Sequence, residues 1–305
     1  MTVTPTEERP QAPSDPGASD AVTFAFGDLD AQLFGLARVG LATDESGARQ
    51  ASGLAVLFGG LEPIAVRTAG GLPVSADAGF EAVEAAGVRT GTHEPLSSWD
   101  VSFTSDDGQS GFALRFEALS PPGRLAPDAA AAMEGGMQGY EQLCRVRGVA
   151  RIRGEERAVS CLGQRGHSWG APDWERITLA RTVTAWMDDD LAISLTGVRS
   201  TKAKHHADEA LDATLFVAVE PGGSPVALTA EEARLSTTTD ADGRQRRSSI
   251  EVFLDEEDPG HRAGGEVLCG TSLDLGRLQL DCSFFVWRMD GLTGVGRYDV
   301  LRRAA

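Results

Sequence analysis

The stretch Leu278-Gln-Leu-Asp-Cys-Ser-Phe-Phe-Val-Trp287 decides the fold class. Leu278, Leu280, Cys282, Phe284 and Val286 alternate with their neighbours, so one face is continuously apolar. A period of two belongs to a strand; an amphipathic helix would repeat at three and four. Asp290-Gly291 follows, a dipeptide suited to a tight hairpin turn, and Val295–Leu301 reads as the returning strand.

The same pattern extends outward. Ile177, Leu179, Val183 and Met187 share a face, Asp188-Asp189-Asp190 turns the chain, and Leu191–Val198 returns. Cys144–Ile152 and Arg157–Leu162 flank the hairpin signal Arg153-Gly154-Glu155. In the first half, Ala51–Phe58, Glu62–Thr68, Trp99–Phe103 and Phe112–Leu119 stop at Gly59-Gly60, Gly70-Gly71, Asp106-Asp107-Gly108 and Pro121-Pro122. Runs of period two between turn clusters predict antiparallel strands, and many of them predict sandwiches or barrels. Ala126–Met133 predicts one short helix. No β-α-β alternation and no short repeat is visible. The fold class expected is all-β.

At 305 residues the chain exceeds the size at which a single core stops growing, so two domains are expected. Residues 1–20, rich in proline, are expected to form a disordered lead. Residues 21–160 and 161–305 are expected to form the two β-domains, with the boundary between 126 and 163. The net charge of −17 repels phosphate backbones and anionic membranes, which excludes nucleic acid as a natural partner. No window approaches eighteen consecutive apolar residues, and residues 1–20 lack the basic and apolar regions of a secretory signal. A cytoplasmic protein without an integral membrane segment is expected. Cys144, Cys161, Cys269 and Cys282 form no C-x-x-C pair and read as buried thiols.

The densest chemistry lies in Gly163-Gln-Arg-Gly-His-Ser-Trp-Gly-Ala-Pro-Asp-Trp174. His167 carries an imidazole and can pass a proton. Trp169 and Trp174 offer flat apolar faces, and Asp173 could orient a ring nitrogen or pair with Arg165. Gly166 and Gly170 bracket the centre and suggest turns, so a structural corner is the plain alternative. Gly166-His167-Ser168-Trp169-Gly170 also fits the G-x-S-x-G pattern of serine hydrolases, which needs a strand before it and a helix after it. The run after Pro172 reads as a strand, which argues against that elbow. Lys204-His205-His206-Ala-Asp208 reads as a solvated loop, because adjacent strand residues point to opposite faces and rarely share an ion. No metal or cofactor is expected.

Tyr140-Glu-Gln-Leu-Cys-Arg-Val-Arg-Gly-Val-Ala-Arg-Ile-Arg-Gly-Glu155 leads straight into the His167 motif. The two together resemble the AttH-like, hydroxyneurosporene synthase (carotenoid 1,2-hydratase)-like superfamily, in which G-x-R-D-H-S-W-G-x-R-D-W follows such a hairpin. Asp290-Gly-Leu-Thr-Gly-Val-Gly-Arg-Tyr-Asp299 is similar to the closing segment of that family. The sequence departs from the family pattern at Gly166, Pro172 and Asp299, where the family has Asp, Arg and Glu. Loss of the first two is expected to remove a charge pair beside His167.

The resemblance implies two lipocalin-like β-domains and a large hydrophobic small molecule as partner: a polyene, terpenoid or polyketide-like compound. It implies a hydratase, isomerase or cyclase that needs no cofactor. A non-catalytic lipid or metabolite carrier is the alternative. In that picture His167 and Asp173 supply or relay a proton. Trp169, Trp174, Gln164, Arg165, Gln142, Phe285 and Trp287 line the ligand.

Overall fold

The computed structural model of the chain describes residues 2–11, 17–205, 208–220 and 222–304. In chain order the strands are β1 (Ser19–Asp28), β2 (Leu33–Thr43), β3 (Arg49–Gly59), β4 (Glu62–Pro73), β5 (Val88–Glu94), β6 (Ser98–Thr104), β7 (Gly111–Ala118), β8 (Gly123–Leu125), β9 (Met137–Ile152), β10 (Glu155–Gly170), β11 (Ile177–Asp188), β12 (Leu191–Ser200), β13 (Ala210–Val217), β14 (Val226–Thr229), β15 (Glu232–Thr239), β16 (Gln245–Phe253), β17 (His261–Asp274), β18 (Leu278–Met289) and β19 (Leu292–Arg303). A short helix α1 spans Ala130–Gly135, and single 3-10 turns span Pro5–Glu8 and Phe80–Ala82. The fold is all-β with two lipocalin-like domains, each a curled antiparallel sheet. Among the described residues no helix is long and apolar enough to cross a membrane.

The turn residues act as their chemistry requires. Arg153-Gly154 and Asp290-Gly291 both sit at positive φ, as two-residue hairpin turns demand. They join β9 to β10 and β18 to β19. α1 starts four residues later than the sequence suggests and ends on Gly136, which takes the left-handed conformation at φ 62°.

The chain divides into one unit of Met1–Pro122 with Gln138–Ala171, and another of Gly123–Met137 with Pro172–Ala305. A cut at 160/161 would therefore sever β10. Residues 162–170 of that strand pair with β1, from Gly27↔Leu162 to Ser19↔Gly170, which holds them in the first unit. The stretch 123–137 belongs to the second unit, where the amide of Ala131 binds the Asp212 carboxylate and Ala131 packs on Ile177 and Val198.

In the first unit the strands follow the order β4-β3-β2-β1-β10-β9-β7-β6-β5. The second runs β14-β13-β12-β11-β19-β18-β17-β16-β15. Each unit thus lays down a four-stranded meander and then brings its last strand back beside its first. Phe24, Phe26, Trp99, Phe103, Phe112 and Phe116 lead the first core. Val183, Ile193, Leu215, Phe285, Trp287 and Tyr298 lead the second.

The expected disordered lead is not what residues 2–11 and 17–20 form. Thr4 opens a turn over Pro5–Glu8 through a reciprocal cap with Glu7, Val3 is buried, and β1 begins at Ser19. The cause is tertiary: buried groups of the first sheet bind this segment. Residues 12–16 of that lead, and His206 of the Lys204–Asp208 cluster, lie outside the described residues. In that cluster the Asp208 carboxylate accepts from the amides of Lys204 and His205, the pattern of an exposed turn.

Candidate functional site

Strand β10 carries the site. The His167 motif does not form a corner: it is extended backbone as far as Gly170, clasped between β1 and β9. Gly163, Arg165, His167 and Trp169 therefore share one face, and Gln164, Gly166 and Ser168 the other. Strand β1 lies opposite with Asp20↔Trp169, Val22↔His167 and Phe24↔Arg165. Asp20 is thus the diagonal neighbour of His167, a spacing that side chains on one face can bridge.

They do bridge it. The Nε2 of His167 lies 2.7 Å from Oδ1 of Asp20, and both side chains are fully buried. A carboxylate only accepts, so Nε2 carries the hydrogen and Nδ1 is the free nitrogen of the neutral ring. Nδ1 is buried with no hydrogen-bond partner among the described residues. The second oxygen of Asp20 accepts from the backbone amide of Gln11. A carboxylate so placed fixes the tautomer and the orientation of the ring.

Aromatic rings surround the imidazole. Trp169 is 4.9 Å away centroid to centroid, Phe80 is 5.4 Å and Tyr140 is 5.6 Å. Phe80 and Tyr140 meet it edge-to-face. Val3 packs on Tyr140 and Trp169, with Leu96 against the same cluster. Burial pushes the Tyr140 phenol far above its ordinary value, so it stays neutral.

Arg165 lies on the same face. Its guanidinium stands 5.1 Å from the Trp99 ring and 4.8 Å from the Tyr140 ring, in cation–π range of both. Its partner is Glu8, not Asp173: Nη2 donates to Oε2 at 2.7 Å, with both side chains nearly inaccessible. Gln142 is also buried; its Nε2 donates to the carbonyls of Leu96 at 2.9 Å and Ser120 at 3.2 Å. It braces the β5–β6 turn.

The remaining residues singled out from sequence lie elsewhere. Gln164 faces away from His167 and donates to Glu141. Asp173 is exposed in the second unit, where its carboxylate accepts from the amide of Glu175. Trp174 packs with Ala131, Ile177 and Val198 in that unit. Phe285 and Trp287 are stacked at 5.5 Å inside the second core. The chain simply leaves the first unit after Ala171, so nearness in sequence to His167 does not carry Asp173 or Trp174 to it. Ser168 lies on the face opposite His167 in mid-strand, without the strand-to-helix elbow a nucleophilic serine requires. Gly166 points to that same outer face, where an added Cβ would meet Glu141. Its departure from Asp therefore removes no charge beside His167.

Asp20, Glu8, Tyr140, Trp99 and Phe80 join the site without having been singled out by sequence. Tyr140 shares the quoted motif, and its alternation with Gln142 and Cys144 could have placed it on the inner face. No local signal marks Asp20 or Glu8.

The sequence matches the family described as Domain of unknown function (DUF7064) over residues 4–304. No curated protein matches it. Among solved structures, the chain is similar to a candidate AttH from Nitrosomonas europaea, with 12% identity, TM-score 0.65, and 96% of this chain and 95% of that one covered. It is similar to kievitone hydratase from Nectria haematococca, with 12% identity, TM-score 0.62, and coverage of 99% and 93%. It is also similar to CghA in complex with Sch210972, with 13% identity, TM-score 0.56, and coverage of 97% and 93%. These likenesses bear out the AttH-like fold that the His167 motif suggests.

Proposed function

For a chain that belongs to the DUF7064 family and has the AttH-like fold, we propose an enzyme that moves a proton on a large apolar, unsaturated small molecule, with His167 as the proton carrier. The observation that carries this is the buried Asp20–His167 pair inside a shell of Phe80, Tyr140 and Trp169. A histidine held by a carboxylate at one nitrogen and unpartnered at the other is built to give or take a proton there.

Hydration balances as follows. Nδ1–H of the imidazolium protonates one alkene carbon, and the π pair forms the new C–H bond. Water adds to the cationic neighbour, and its extra proton returns to Nδ1. Asp20 stabilises the imidazolium at both ends of the cycle, and the ring faces stabilise the cation between. Isomerisation or cyclisation uses the same cation but loses a proton from carbon instead of adding water. The names of two structural neighbours, a hydratase and CghA bound to Sch210972, are consistent with such chemistry.

A carrier is the second reading, and Val3 favours it. That side chain packs on Tyr140 and Trp169, an apolar ground that would hold the body of a ligand without any chemistry.

Native mass spectrometry after exposure to a lipid extract of the source cells, run in deuterated water, separates the two. The enzyme is expected to return a compound with water added, or one of altered retention carrying deuterium on carbon. His167→Gln should abolish that conversion and still retain the compound. A compound recovered chemically unchanged from the wild type would leave only the carrier, and normal conversion by His167→Gln would end the proton-carrier role.

A further inference from the structure

The carboxylate of Glu8 sits in a receptor that it does not fully use. Its Oε2 accepts from Arg165 Nη2 at 2.7 Å and from the Trp99 indole Nε1 at 3.3 Å. Its Oε1 accepts from the amide of Leu96 at 3.0 Å. All three donors belong to the sheet and its β5–β6 turn, while the acceptor comes from the segment ahead of β1. The Nε and Nη1 of Arg165 are buried and have no hydrogen-bond partner among the described residues. A guanidinium presents paired N–H groups that match both oxygens of a carboxylate, and Glu8 takes only one of them.

The turn that supplies the Leu96 amide is also strained. Ser97 donates to the carbonyl of Glu94 across Pro95-Leu96, and Leu96 has φ 61°. The third position of such a turn normally takes glycine, because a branched side chain is costly there. Leu96 nevertheless holds this conformation, braced by Gln142 on its carbonyl, with its amide on Glu8. Strain of this kind concentrates where a ligand is gripped.

We propose that Arg165, the Trp99 indole and the Leu96 amide form the receptor for the carboxylate of an apolar acid, and that Glu8 occupies it in the absence of ligand. This rests on the assignment of the His167 interior as the ligand site, and it names the ligand class. An incoming carboxylate replaces Glu8 on the same donors and engages the idle N–H groups of Arg165. Its apolar body takes the ground of Val3 against Tyr140 and Trp169. The Tyr140 ring touches both Arg165 and His167, so the acid end lies one ring from the imidazole. The carbon that receives the proton is therefore close to the carboxyl end of the ligand.

The test uses cis-parinaric acid, a fluorescent polyene acid, and its methyl ester. Both are titrated into the full chain as wild type, Glu8→Gln, Arg165→Met and Arg165→Lys, each checked for folding by its melting curve. The acid is expected to bind more tightly than the ester by roughly ten-fold or more, the value of a charged hydrogen-bonded contact. Glu8→Gln should tighten the acid and leave the ester nearly unchanged. Arg165→Met should erase the preference. If Arg165→Met does not fold, Arg165→Lys, which keeps the charge and loses the fork, should narrow it. Equal binding of acid and ester in folded Glu8→Gln overturns the carboxylate receptor and leaves an apolar site standing. An acid preference unchanged in both Arg165 variants overturns it as well. No binding of either probe by folded Glu8→Gln overturns the receptor together with the ligand site beneath it. A loss of stability in Glu8→Gln with no change in either affinity would make Glu8–Arg165 a strut only.

Discussion

Asp20 is the residue on which the site turns. It is fully buried, it holds His167 through one oxygen, and the amide of Gln11 occupies the other. Removing it leaves a buried imidazole with neither nitrogen satisfied. Asp20→Ala should therefore lower stability by about 1–3 kcal/mol, the cost of leaving a buried donor unsatisfied. Asp20→Asn keeps an acceptor for Nε2–H and should lose less. Urea unfolding of the two variants checks the order, and equal losses would show that the charge, not the hydrogen bond, matters. The sequence made His167, Arg165 and Trp169 visible because they crowd one motif. It hid Asp20 and Glu8 because they stand 147 and 157 positions from the residues they bind, a separation that only tertiary folding closes.

At the scale of the element, glycine means close packing at two positions of β9 and β10. A Cβ on Gly163 would strike the carbonyl oxygen of Ala25 and press on Val146. A Cβ on Gly139 would strike the carbonyl oxygen of His167 itself. The β9–β10 contact beside the imidazole therefore depends on the absence of a side chain. Gly139→Ala should destabilise the protein by about 1–3 kcal/mol through overpacking. It should also weaken the chemistry at His167 by pushing its strand aside. A melting curve and the deuterium-incorporation assay on the same sample check both effects; unchanged stability would mean that β9 can shift at no cost. The hairpins at Arg153-Gly154 and Asp290-Gly291 were legible because positive φ at both positions is a local demand. The strand through Gly166 and Gly170 was not, because the partners that hold it extended lie elsewhere in the chain.

At the scale of the whole molecule, the two units repeat one strand order without repeating a sequence. In each, the first strand pairs with the last: β1 with β10, and β11 with β19. Period-two patterning constrains only which positions are apolar, so two sheets of one topology can share few residue identities. The net charge of −17 acts at this scale too. Like charges repel across the surface, and salt screens them over about 8 Å at 0.15 M. Raising ionic strength from a few millimolar to that level should raise the melting temperature. A fall would mean that the exposed arginine pairs, such as Arg115 with Asp100 and Arg247 with Glu266, contribute more than the repulsion removes.

The sequence by itself determined that the chain is built of antiparallel strands and where two of its hairpins turn, and it singled out His167 as the residue on which the proposed chemistry rests. Those properties are local: a period of two, a dipeptide able to take positive φ, and a cluster of reactive side chains. Only the tertiary structure decided what His167 and Arg165 pair with, which of their neighbours in sequence share their face, and that Asp173 and Trp174 belong to the other unit. Those properties depend on how β1 returns to β10 and on where the segment around Glu8 is held. Pairing between distant strands is set by the burial of a whole sheet face, and no single segment carries that information.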